Sequence, residues 1–307
     1  MQNEKWYIII NPAAGNGAGR RQWARIEATI RAQLPNSTLT FTESPGHAIA
    51  LVAEALRQGY RHFIGAGGDG TNNEMINGIF TQAEVPTSEV HYTLLPLGTG
   101  NDWVRTHRIP HRLSDWLSML AAGKVLLHDI GLLTFQAQDE RRQRYFINVA
   151  GLAYDAFVVA YTNRYRRWAV HKWSYLLMVL RCLFLYRLPR AQVLFDGQCF
   201  DHHYYTINIG IGRYSGGGMQ LTPHAMPNSG QLALTLARRV SKLGVIFNIW
   251  RFYNGTLPQH PKIDIFQTKH IEVLSEQNVG LEADGELLGE TPVTCTILPG
   301  ALRVIVP

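Results

Sequence analysis

The sequence predicts an α/β domain followed by an all-β domain of the sandwich type. In the first part of the chain, short apolar runs alternate with helical patterns, and glycine turns follow the runs. After about Lys124, short β-like runs dominate instead. Strands that alternate with helices indicate a mostly parallel sheet, and many short strands indicate a sandwich. We therefore predict an α/β domain over residues 1–124 and a β-sandwich domain over 125–297.

The elements of the first domain follow from apolar spacing and from the residues that interrupt it. The first strand ends where Asn11 and Pro12 follow an apolar run, and the first long helix ends before Pro35. The predicted series is strand Trp6–Ile10, helix Arg20–Leu34, strand Leu39–Phe41, helix His47–Leu56, strand His62–Ala66, helix Asn72–Ile79 and strand Tyr92–Leu95. Ligands of such sheets bind beyond the carboxyl ends of the strands, where the glycine turns fall.

The second domain is predicted from runs with β-like composition and one interruption. A basic helical insertion is predicted over 154–187. The predicted strands are Leu126–Leu132, Tyr145–Val149, Ala191–Phe195, Tyr204–Ile209, Leu232–Leu236, His270–Leu274, Val293–Ile297 and Arg303–Val306.

Composition narrows the class of protein. The 307 residues are 46% hydrophobic and 17% charged, which is typical of a folded globular protein. No apolar segment is long enough for a signal peptide or a membrane span, so we expect a soluble cytoplasmic protein. Three scattered cysteines form no disulfide framework, which fits a reducing compartment. The formal charge of +6 favours anionic partners such as nucleotides, lipid head groups or nucleic acid.

The strongest local signal is the segment Gly67–Thr71, which lies between a predicted strand and a predicted helix. Glycine allows backbone amides to approach phosphate oxygens closely, and a helix N-terminus adds the positive end of its dipole. Asp69 within this segment is a candidate Mg²⁺ ligand. The alternative is a tight β–α turn in which Asp69 and Thr71 serve only as helix caps.

Two further glycine turns follow other strands. Pro96–Asp102 succeeds the strand at Tyr92–Leu95, and Asn11–Gly17 succeeds the first strand. Each alone is typical of an ordinary turn, but turns at strand ends of one sheet can face a common cleft. No GxxxxGK[ST] or GxGxxG pattern occurs, which excludes a P-loop or Rossmann dinucleotide site.

A fourth turn, Glu282–Glu286, lies far along the chain between two predicted strands. Its Asp-Gly pair is the ordinary hairpin signal. Asp284 and Glu286 stand two residues apart and share one side if the chain is extended. A kinase requires a carboxylate that accepts the proton of the acceptor hydroxyl, and either residue is a candidate.

Together these segments resemble the catalytic family of diacylglycerol kinases, which includes bacterial soluble lipid kinases and the sphingosine and ceramide kinases. The matching stretches occur in the family's order and cover nearly the whole chain. They are NPAAG at 11–15, TESPGHA at 42–48, GGDGTNNEMING at 67–78, LPLGTGNDWVR at 95–105, NVAGLAYDA at 148–156, GGGMQLTPHAMPNSGQL at 216–232, EADGELL at 282–288 and PGALRVIVP at 299–307.

The resemblance implies a first domain like that of phosphofructokinase and NAD kinase, a C-terminal β-sandwich, and the return of 298–307 to the first domain. It implies ATP and Mg²⁺, with ATP between the domains, Asp69 at the metal, and Asp284 or Glu286 as general base on a lipid hydroxyl. Asp69 is a second candidate base in the sphingosine kinases. The implied nucleotide contacts are Asn11, Pro12, Ala13, Ala14, Gly15, Thr42, Gly67, Gly68, Asp69, Gly70, Thr71, Asn72, Asn73, Gly98, Thr99, Asn101 and Asp102.

Two positions depart from the family. Asn72 stands where members usually have Leu after GGDGT. Ser229 stands where bacterial members usually carry an Asp of a structural Mg²⁺ loop. A hydroxyl is a poorer Mg²⁺ ligand than a carboxylate, so we expect this loop to hold no ion.

Residues 161–190 are basic, aromatic and free of acidic side chains. Such a segment can lie on an anionic membrane, with aromatic rings at the interface and cations at phosphates. The alternative is a helix pair with an apolar core side and solvated arginines. A lipid kinase meets its substrate at the bilayer, which favours peripheral membrane contact.

The sequence thus predicts an ATP-dependent lipid kinase. Diacylglycerol, phosphatidylglycerol, sphingoid bases and undecaprenol-like alcohols all offer a hydroxyl. An NAD kinase shares GGDGT but lacks the GTGND and DGE segments. A non-catalytic nucleotide- or lipid-binding regulator is disfavoured by the acids at Asp69, Asp284 and Glu286. A nucleic-acid binder fits the charge but no binding motif occurs.

Overall fold

The computed structural model describes residues 4–165 and 172–307 and divides the chain into two compact units. The first unit contains the chain up to Ile130 together with Leu298–Pro307, and the second contains Gly131–Ile297. Among the described residues, no helix has the length and apolar character needed to cross a membrane.

The first unit is an alternating α/β structure. Its elements are β1 (Trp6–Ile10), α1 (Ala14–Gly17), α2 (Gly19–Gln33), β2 (Thr38–Phe41), α3 (His47–Arg57), β3 (His62–Gly67), α4 (Asp69–Thr81), a 3₁₀ turn (Thr87–Glu89), β4 (His91–Pro96), α5 (Asp102–His107) and α6 (Leu113–Ala122). The predicted strands and helices of this region are confirmed apart from the start of α4, whereas α1 and α6 were not predicted.

The remaining elements follow in chain order. They are β5 (Val125–Ala137), β6 (Glu140–Phe146), β7 (Val149–Ala153), α7 (Tyr154–Arg164), α8 (Lys172–Leu185), β8 (Arg190–Phe195), β9 (Gln198–Gly210), β10 (Tyr214–Ser215), β11 (Met219–Gln220), β12 (Leu232–Arg238), α9 (Lys242–Phe247), α10 (Arg251–Asn254), a 3₁₀ turn (Leu257–Gln259), β13 (Ile263–Thr268), β14 (His270–Leu274), β15 (Gly280–Ala283) and β16 (Glu286–Ile305). Helices α7 and α8 lie within the predicted insertion 154–187.

The sheet of the first unit is parallel, in the order β2, β1, β3, β4, followed by the end of β16. All five residues of β1 are buried, because the apolar run is covered on both faces, as is usual for a central parallel strand. Helices α3 and α4 pack closely: a Cβ on Gly78 would lie 2.7 Å from the Cβ of Val52. Because the strands are parallel, their carboxyl ends lie at the same edge of the sheet, and the strand-to-helix turns begin at that edge.

The second unit is built from antiparallel strands in the order β13, β12, β9, β7, β15, β16. Two long strands change partners along their length: β9 also pairs with β8, and β16 also pairs with β14. Side chains from both strand sets, such as Ile207 and Val273, are fully buried in one core. Two layers that share one apolar core form the predicted β-sandwich.

Three details of the sequence prediction are wrong. The helix α4 begins at Asp69 and not at Asn72, so Asp69–Thr71 form its first turn. The predicted strand Tyr145–Val149 is divided between β6 and β7. The last two predicted strands form a single strand, β16, because the Pro-Gly pair at 299–300 does not interrupt it.

Candidate active site

Three glycine turns of the first unit are joined by hydrogen bonds at the strand ends. The backbone amides of Leu97 and Gly98 both donate to the carbonyl of Gly67, at 2.8 and 3.0 Å. The side-chain amide of Asn11 donates to the hydroxyl of Thr71 at 2.9 Å. The structure therefore brings together the turns that follow β1, β3 and β4.

Gly68 and Gly98 lie where these turns touch. A Cβ on Gly98 would stand 2.5 Å from the Cα of Gly68, a distance that no side chain tolerates. The two backbones can approach only because neither residue has a side chain. Gly70, by contrast, is exposed in the first turn of α4, and a Cβ there would meet nothing within 4 Å.

Asp69 begins α4 and points its carboxylate at the start of α5. The backbone amide of Trp103 donates to Oδ1 of Asp69 at 3.4 Å. Burial raises the pKa of Asp69 above its usual range, and the backbone amides of Asp102, Trp103 and Asn101 oppose that rise. Oδ2 lies beside Gly100, where a Cβ would come within 2.9 Å of it. The carboxylate thus sits in a polar recess between two helix starts.

Asn101 and Asp102 are buried beside this carboxylate. Asn101 has a left-handed backbone with φ of 52°, and its side-chain amide donates to the carbonyl of Gly98 at 2.8 Å. Its Oδ1 is buried and has no hydrogen-bond partner in the described part of the chain. Oxygen atoms are the ligands that Mg²⁺ prefers, so the orphaned Oδ1 and the Asp69 carboxylate are suited to a cation. Asp102 lies 3.7 Å from Arg105.

The other predicted nucleotide contacts differ in their exposure to solvent. Ala13, Gly70 and Thr99 are exposed, Pro12 and Gly15 are half-buried, and Thr42 and Ala14 are buried. Asn72 is 1% exposed, and its Oδ1 accepts a hydrogen bond from the Tyr92 hydroxyl at 2.7 Å. Asn73 is also buried, where Asn77 bonds to it. These two asparagines lie in the packed interior, and their nucleotide contact stays a prediction.

A histidine pair that the sequence analysis missed supports the segment after Asp102. The indole Nε1 of Trp103 donates to Nε2 of His128 at 3.3 Å, and Nε2 of His107 lies 3.1 Å from the same atom. Burial lowers the pKa of His128 to about 4 and lowers that of His107 well below its usual range. The two neutral histidines hold the indole ring of Trp103 in place. The backbone amide of the same residue donates to Asp69.

The Asp-Gly turn of the second unit is confirmed as the hairpin between β15 and β16. Asp284 and Gly285 both have positive φ, 50° and 84°, as this two-residue turn requires. The carboxylate of Asp284 accepts hydrogen bonds from the backbone amides of Ile147, Asn148 and Val149 at 3.1–3.2 Å. Those amides connect β6 to β7, so Asp284 is held in one orientation against that connection.

Glu286 occupies the first position of β16, on the far side of the same turn. The guanidinium of Arg144 on β6 donates to Oε2 of Glu286 at 2.8 Å, and both side chains are partly exposed. The pairing with Arg144 neutralises the charge of the Glu286 carboxylate. The geometry thus presents both candidate bases on one hairpin, each with its own partners.

The sequence analysis also missed two acids beside this hairpin, the half-buried Asp155 and the buried Glu282. Burial raises the pKa of Asp155 to about 6, and burial followed by repulsion from Asp155 raises the pKa of Glu282 well above its usual range. Both carboxylates crowd Gly151, where a Cβ would lie 2.7 Å from Glu282 Oε1 and 2.9 Å from Asp155 Oδ2. Their only sequence signal was membership of the NVAGLAYDA and EADGELL stretches.

Glu282 also stabilises the turn itself, because its Oε2 accepts a hydrogen bond from the amide of Gly285 at 3.0 Å. Asp155 Oδ2 lies 2.5 Å from the hydroxyl of Thr206, which also contacts the carbonyl of Leu152 at 3.2 Å. One hydroxyl proton cannot serve both acceptors. The shorter distance makes the Asp155 carboxylate the main acceptor of the Thr206 hydroxyl proton.

The loop at Ser229 is closed by hydrogen bonds. The hydroxyl donates to the carbonyl of Met226 at 3.0 Å and accepts from the amide of Gln231 at 3.3 Å. Within residues 4–165 and 172–307, no group of three or more His, Cys, Asp or Glu side chains is arranged to hold a metal ion. The expectation that the Ser229 loop holds no ion stays a prediction.

A parallel α/β unit with glycine turns at its strand ends, followed by a β-sandwich, defines the class of NAD-kinase-like and lipid-kinase folds. The structure is similar to a diacylglycerol kinase from Bacillus anthracis str. Sterne, with a TM-score of 0.75 and 21% identity over 99% of this chain and 97% of that one. It is also similar to yeast NADH kinase, with a TM-score of 0.54 and 11% identity over 99% of this chain and 84% of that one. At these identities the likeness shows the fold alone.

Family models identify the group within this class. Residues 5–133 match the diacylglycerol kinase catalytic domain, and residues 148–306 match the YegS C-terminal NAD kinase beta sandwich-like domain. The chain belongs to the diacylglycerol kinase family and is a lipid kinase. It is 26% identical to diacylglycerol kinases of Staphylococcus saprophyticus and Staphylococcus carnosus, over 98% of this chain and 94% of each relative.

Proposed function

We propose that this lipid kinase transfers the γ-phosphoryl group of ATP to the hydroxyl of diacylglycerol or a closely related lipid. The observation that carries the proposal is the junction of three glycine turns around Asp69 in the first unit. The names of the Staphylococcus relatives support diacylglycerol as the acceptor. The other acceptors, phosphatidylglycerol, sphingoid bases and undecaprenol-like alcohols, are compared in the assay below.

The phosphates of ATP would lie against the backbone of Gly68 and the N-terminus of α4, because glycine permits a close approach. The carboxylate of Asp69 and the orphaned Oδ1 of Asn101 would hold Mg²⁺. When bound, Mg²⁺ supplies positive charge that neutralises the phosphate oxygens during transfer. Asp69 is raised in pKa by burial and would ionise more readily when a cation is present.

The acceptor hydroxyl would be oriented and deprotonated by the Asp284–Glu286 hairpin. Asp284 is the better single candidate, since three backbone amides fix its carboxylate and Gly285 beside it leaves room for a substrate. Glu286, paired with Arg144, is the second candidate, and Asp69 is a third. A correctly placed base accepts the hydroxyl proton as the phosphoryl group moves.

We further propose that residues 161–190 contact an anionic membrane. Arg166 and Arg167 lie outside the described residues, and Lys172 opens α8. In the described part of α8, Leu177 and Phe184 are 67% and 56% exposed, which is unusual for large apolar side chains. A bilayer would cover such groups while the arginines meet lipid phosphates.

The function is tested by incubating the purified protein with radiolabelled ATP and a total lipid extract, with the products separated by chromatography. A labelled phosphatidic acid spot is expected, together with its loss in Asp69→Asn. A labelled lipid other than phosphatidic acid would change the acceptor, and labelled NADP formed from NAD would support an NAD kinase. ATP binding without any labelled product would support a non-catalytic regulator.

A further inference from the structure

A row of large apolar side chains lies exposed along the segment that holds α9 and α10. Leu243, Phe247, Trp250 and Tyr253 are 62%, 74%, 48% and 52% exposed. They follow one another at intervals of four, three and three residues, so they share one face of a nearly continuous helical path. Val245 and Ile246 of the same segment are partly buried and pack into the protein.

This row adjoins the exposed end of α8. The ammonium of Lys242 donates to the carbonyl of Phe184 at 2.5 Å and lies 5.6 Å from the centre of the Phe184 ring. Phe184 and the neighbouring Leu185 are 56% and 51% exposed. We name as the α8–α10 face the surface formed by Phe184, Leu185, Leu243, Phe247, Trp250 and Tyr253.

Cations surround this face and the sequence around it contains no acid. Neither 156–195 nor 231–263 contains Asp or Glu. Arg239 is exposed just before α9. Lys242 at the start of α9 lies over the Phe184 ring of α8, and the guanidinium carbon of Arg251 lies 4.7 Å from the centre of the Trp250 ring. Apolar and aromatic groups rimmed by cations match the chemistry of an anionic lipid leaflet.

We propose that the α8–α10 face docks this lipid kinase onto an anionic membrane leaflet, with Phe247 and Trp250 inserted among the lipids. The proposal rests on the proposed function, because it locates the surface at which that enzyme meets its lipid. A second copy of the chain is a poorer occupant, since it would bring a second set of cations to the same contact. The face extends the membrane contact beyond 161–190 to a segment that the sequence analysis left unassigned.

The test measures sedimentation of the full-length protein with two kinds of vesicle, phosphatidylcholine alone and phosphatidylcholine mixed with phosphatidylglycerol. The double variant Phe247→Ser, Trp250→Ser should bind both kinds more weakly, by roughly tenfold for each side chain lost. Arg239→Glu should weaken binding to the anionic vesicles only. The matched control is Met226→Ser, because Met226 is as exposed as Trp250, at 48%, but lies outside the face.

Equal partitioning of the double variant and the parent would overturn the proposal. So would a parent that is dimeric by sedimentation equilibrium and a double variant that is monomeric with unchanged vesicle binding, since the face would then be a self-contact. Phosphorylation of diacylglycerol is measured in parallel, in vesicles and in detergent micelles. The double variant should lose rate in vesicles and keep it in micelles. If the parent phosphorylates no lipid yet the binding differences persist, docking stands and the proposed function fails.

Discussion

The carboxylate of Asp284 illustrates how a candidate catalytic residue is fixed by its own backbone surroundings. Oδ1 accepts two amide hydrogen bonds and Oδ2 accepts one. Sequence reasoning treats asparagine as a nearly isosteric test of such an acid. Here one side-chain oxygen would become an NH₂ group that faces an amide donor, so Asp284→Asn leaves a buried N–H unsatisfied.

We therefore predict that Asp284→Asn lowers both turnover and stability. The rate of lipid phosphorylation should fall by about 10²–10⁴-fold if the carboxylate is the general base. The free energy of unfolding should fall by about 1–3 kcal/mol from the unsatisfied donor. Turnover is measured at saturating ATP, and urea unfolding is followed by circular dichroism.

The comparison is Glu286→Gln, which retains an oxygen for Arg144 and should change stability less. Asp69→Asn should also lower turnover by orders of magnitude. Near-full lipid phosphorylation by both Asp284→Asn and Glu286→Gln would contradict the assignment of the base to this hairpin.

A second prediction at the residue scale concerns Asp155, whose pKa burial raises to about 6. A folded-state pKa above the unfolded value means that the folded protein binds the proton more tightly. The stability contributed by the protonated form is fully present below the unfolded pKa and is lost as pH rises through the folded pKa. Relative to an aspartate with its ordinary pKa, this loss is on the order of 3 kcal/mol, spread between about pH 3 and about pH 7.

Asp155→Asn should remove this pH dependence, because the amide cannot ionise. The measurement is the difference in the free energy of unfolding between parent and variant over that pH range. Glu282 lies beside Asp155 and is also raised in pKa, while Asp284, Tyr186 and Tyr205 are the other titratable groups that interact with the pair. Parallel pH profiles for parent and variant would show that Asp155 is ionised in the folded protein throughout.

At the scale of elements, the β3–α4 connection offers a way to separate ligand binding from folding. We predict that Gly68→Val abolishes ATP binding, because the side chain occupies the place of a phosphate. The same change brings a Cβ within 3.2 Å of the Cα of Gly98, so some loss of stability accompanies it.

Gly70→Ala provides the sharper comparison at this connection. Its Cβ meets no protein atom within 4 Å, and alanine within a helix is more stable than glycine by about 0.5–1 kcal/mol. The variant should therefore melt at or above the parent's temperature and yet bind ATP more weakly. Unchanged ATP affinity of a folded Gly68→Val protein in titration calorimetry would refute the phosphate site.

Elements that depend on neighbouring residues could be predicted from the sequence, whereas features that depend on contacts between distant segments could not. Strands such as β1 and the Asp284–Gly285 turn were predictable, because apolar runs and turn residues act locally. The start of α4 was missed because glycine disfavours helices, although the structure places Gly70 in the first turn of this helix. The burial of Asn72 against Tyr92 and the pairing of Asp155 with Glu282 depend on contacts between distant segments, which no local pattern reveals.

At the scale of the whole molecule, the charge excess of +6 is concentrated in segments that lack acids. Residues 161–190 carry seven Arg and Lys side chains, and the segment around α9 and α10 adds further cations. Two different forces thus contribute to membrane contact. Electrostatic attraction is screened by salt, whereas burial of apolar side chains in the bilayer is not.

We predict that charge reversal at Arg166, Arg167 and Lys172 weakens binding to anionic vesicles and leaves binding to neutral vesicles unchanged. Each basic residue near an anionic surface contributes about 1 kcal/mol, so the triple variant should lose at least a hundredfold in partitioning at low salt. Raising the salt from 0.1 M to 1 M shortens the screening length from about 10 Å to about 3 Å, and the parent should then bind like the variant. Sedimentation across a salt series measures both effects.

The Phe247→Ser, Trp250→Ser variant serves as the contrast, because its loss of binding should persist at every salt concentration. Identical sedimentation of the charge-reversed protein and the parent at low salt would mean that 161–190 is only a structural helix pair with solvated arginines.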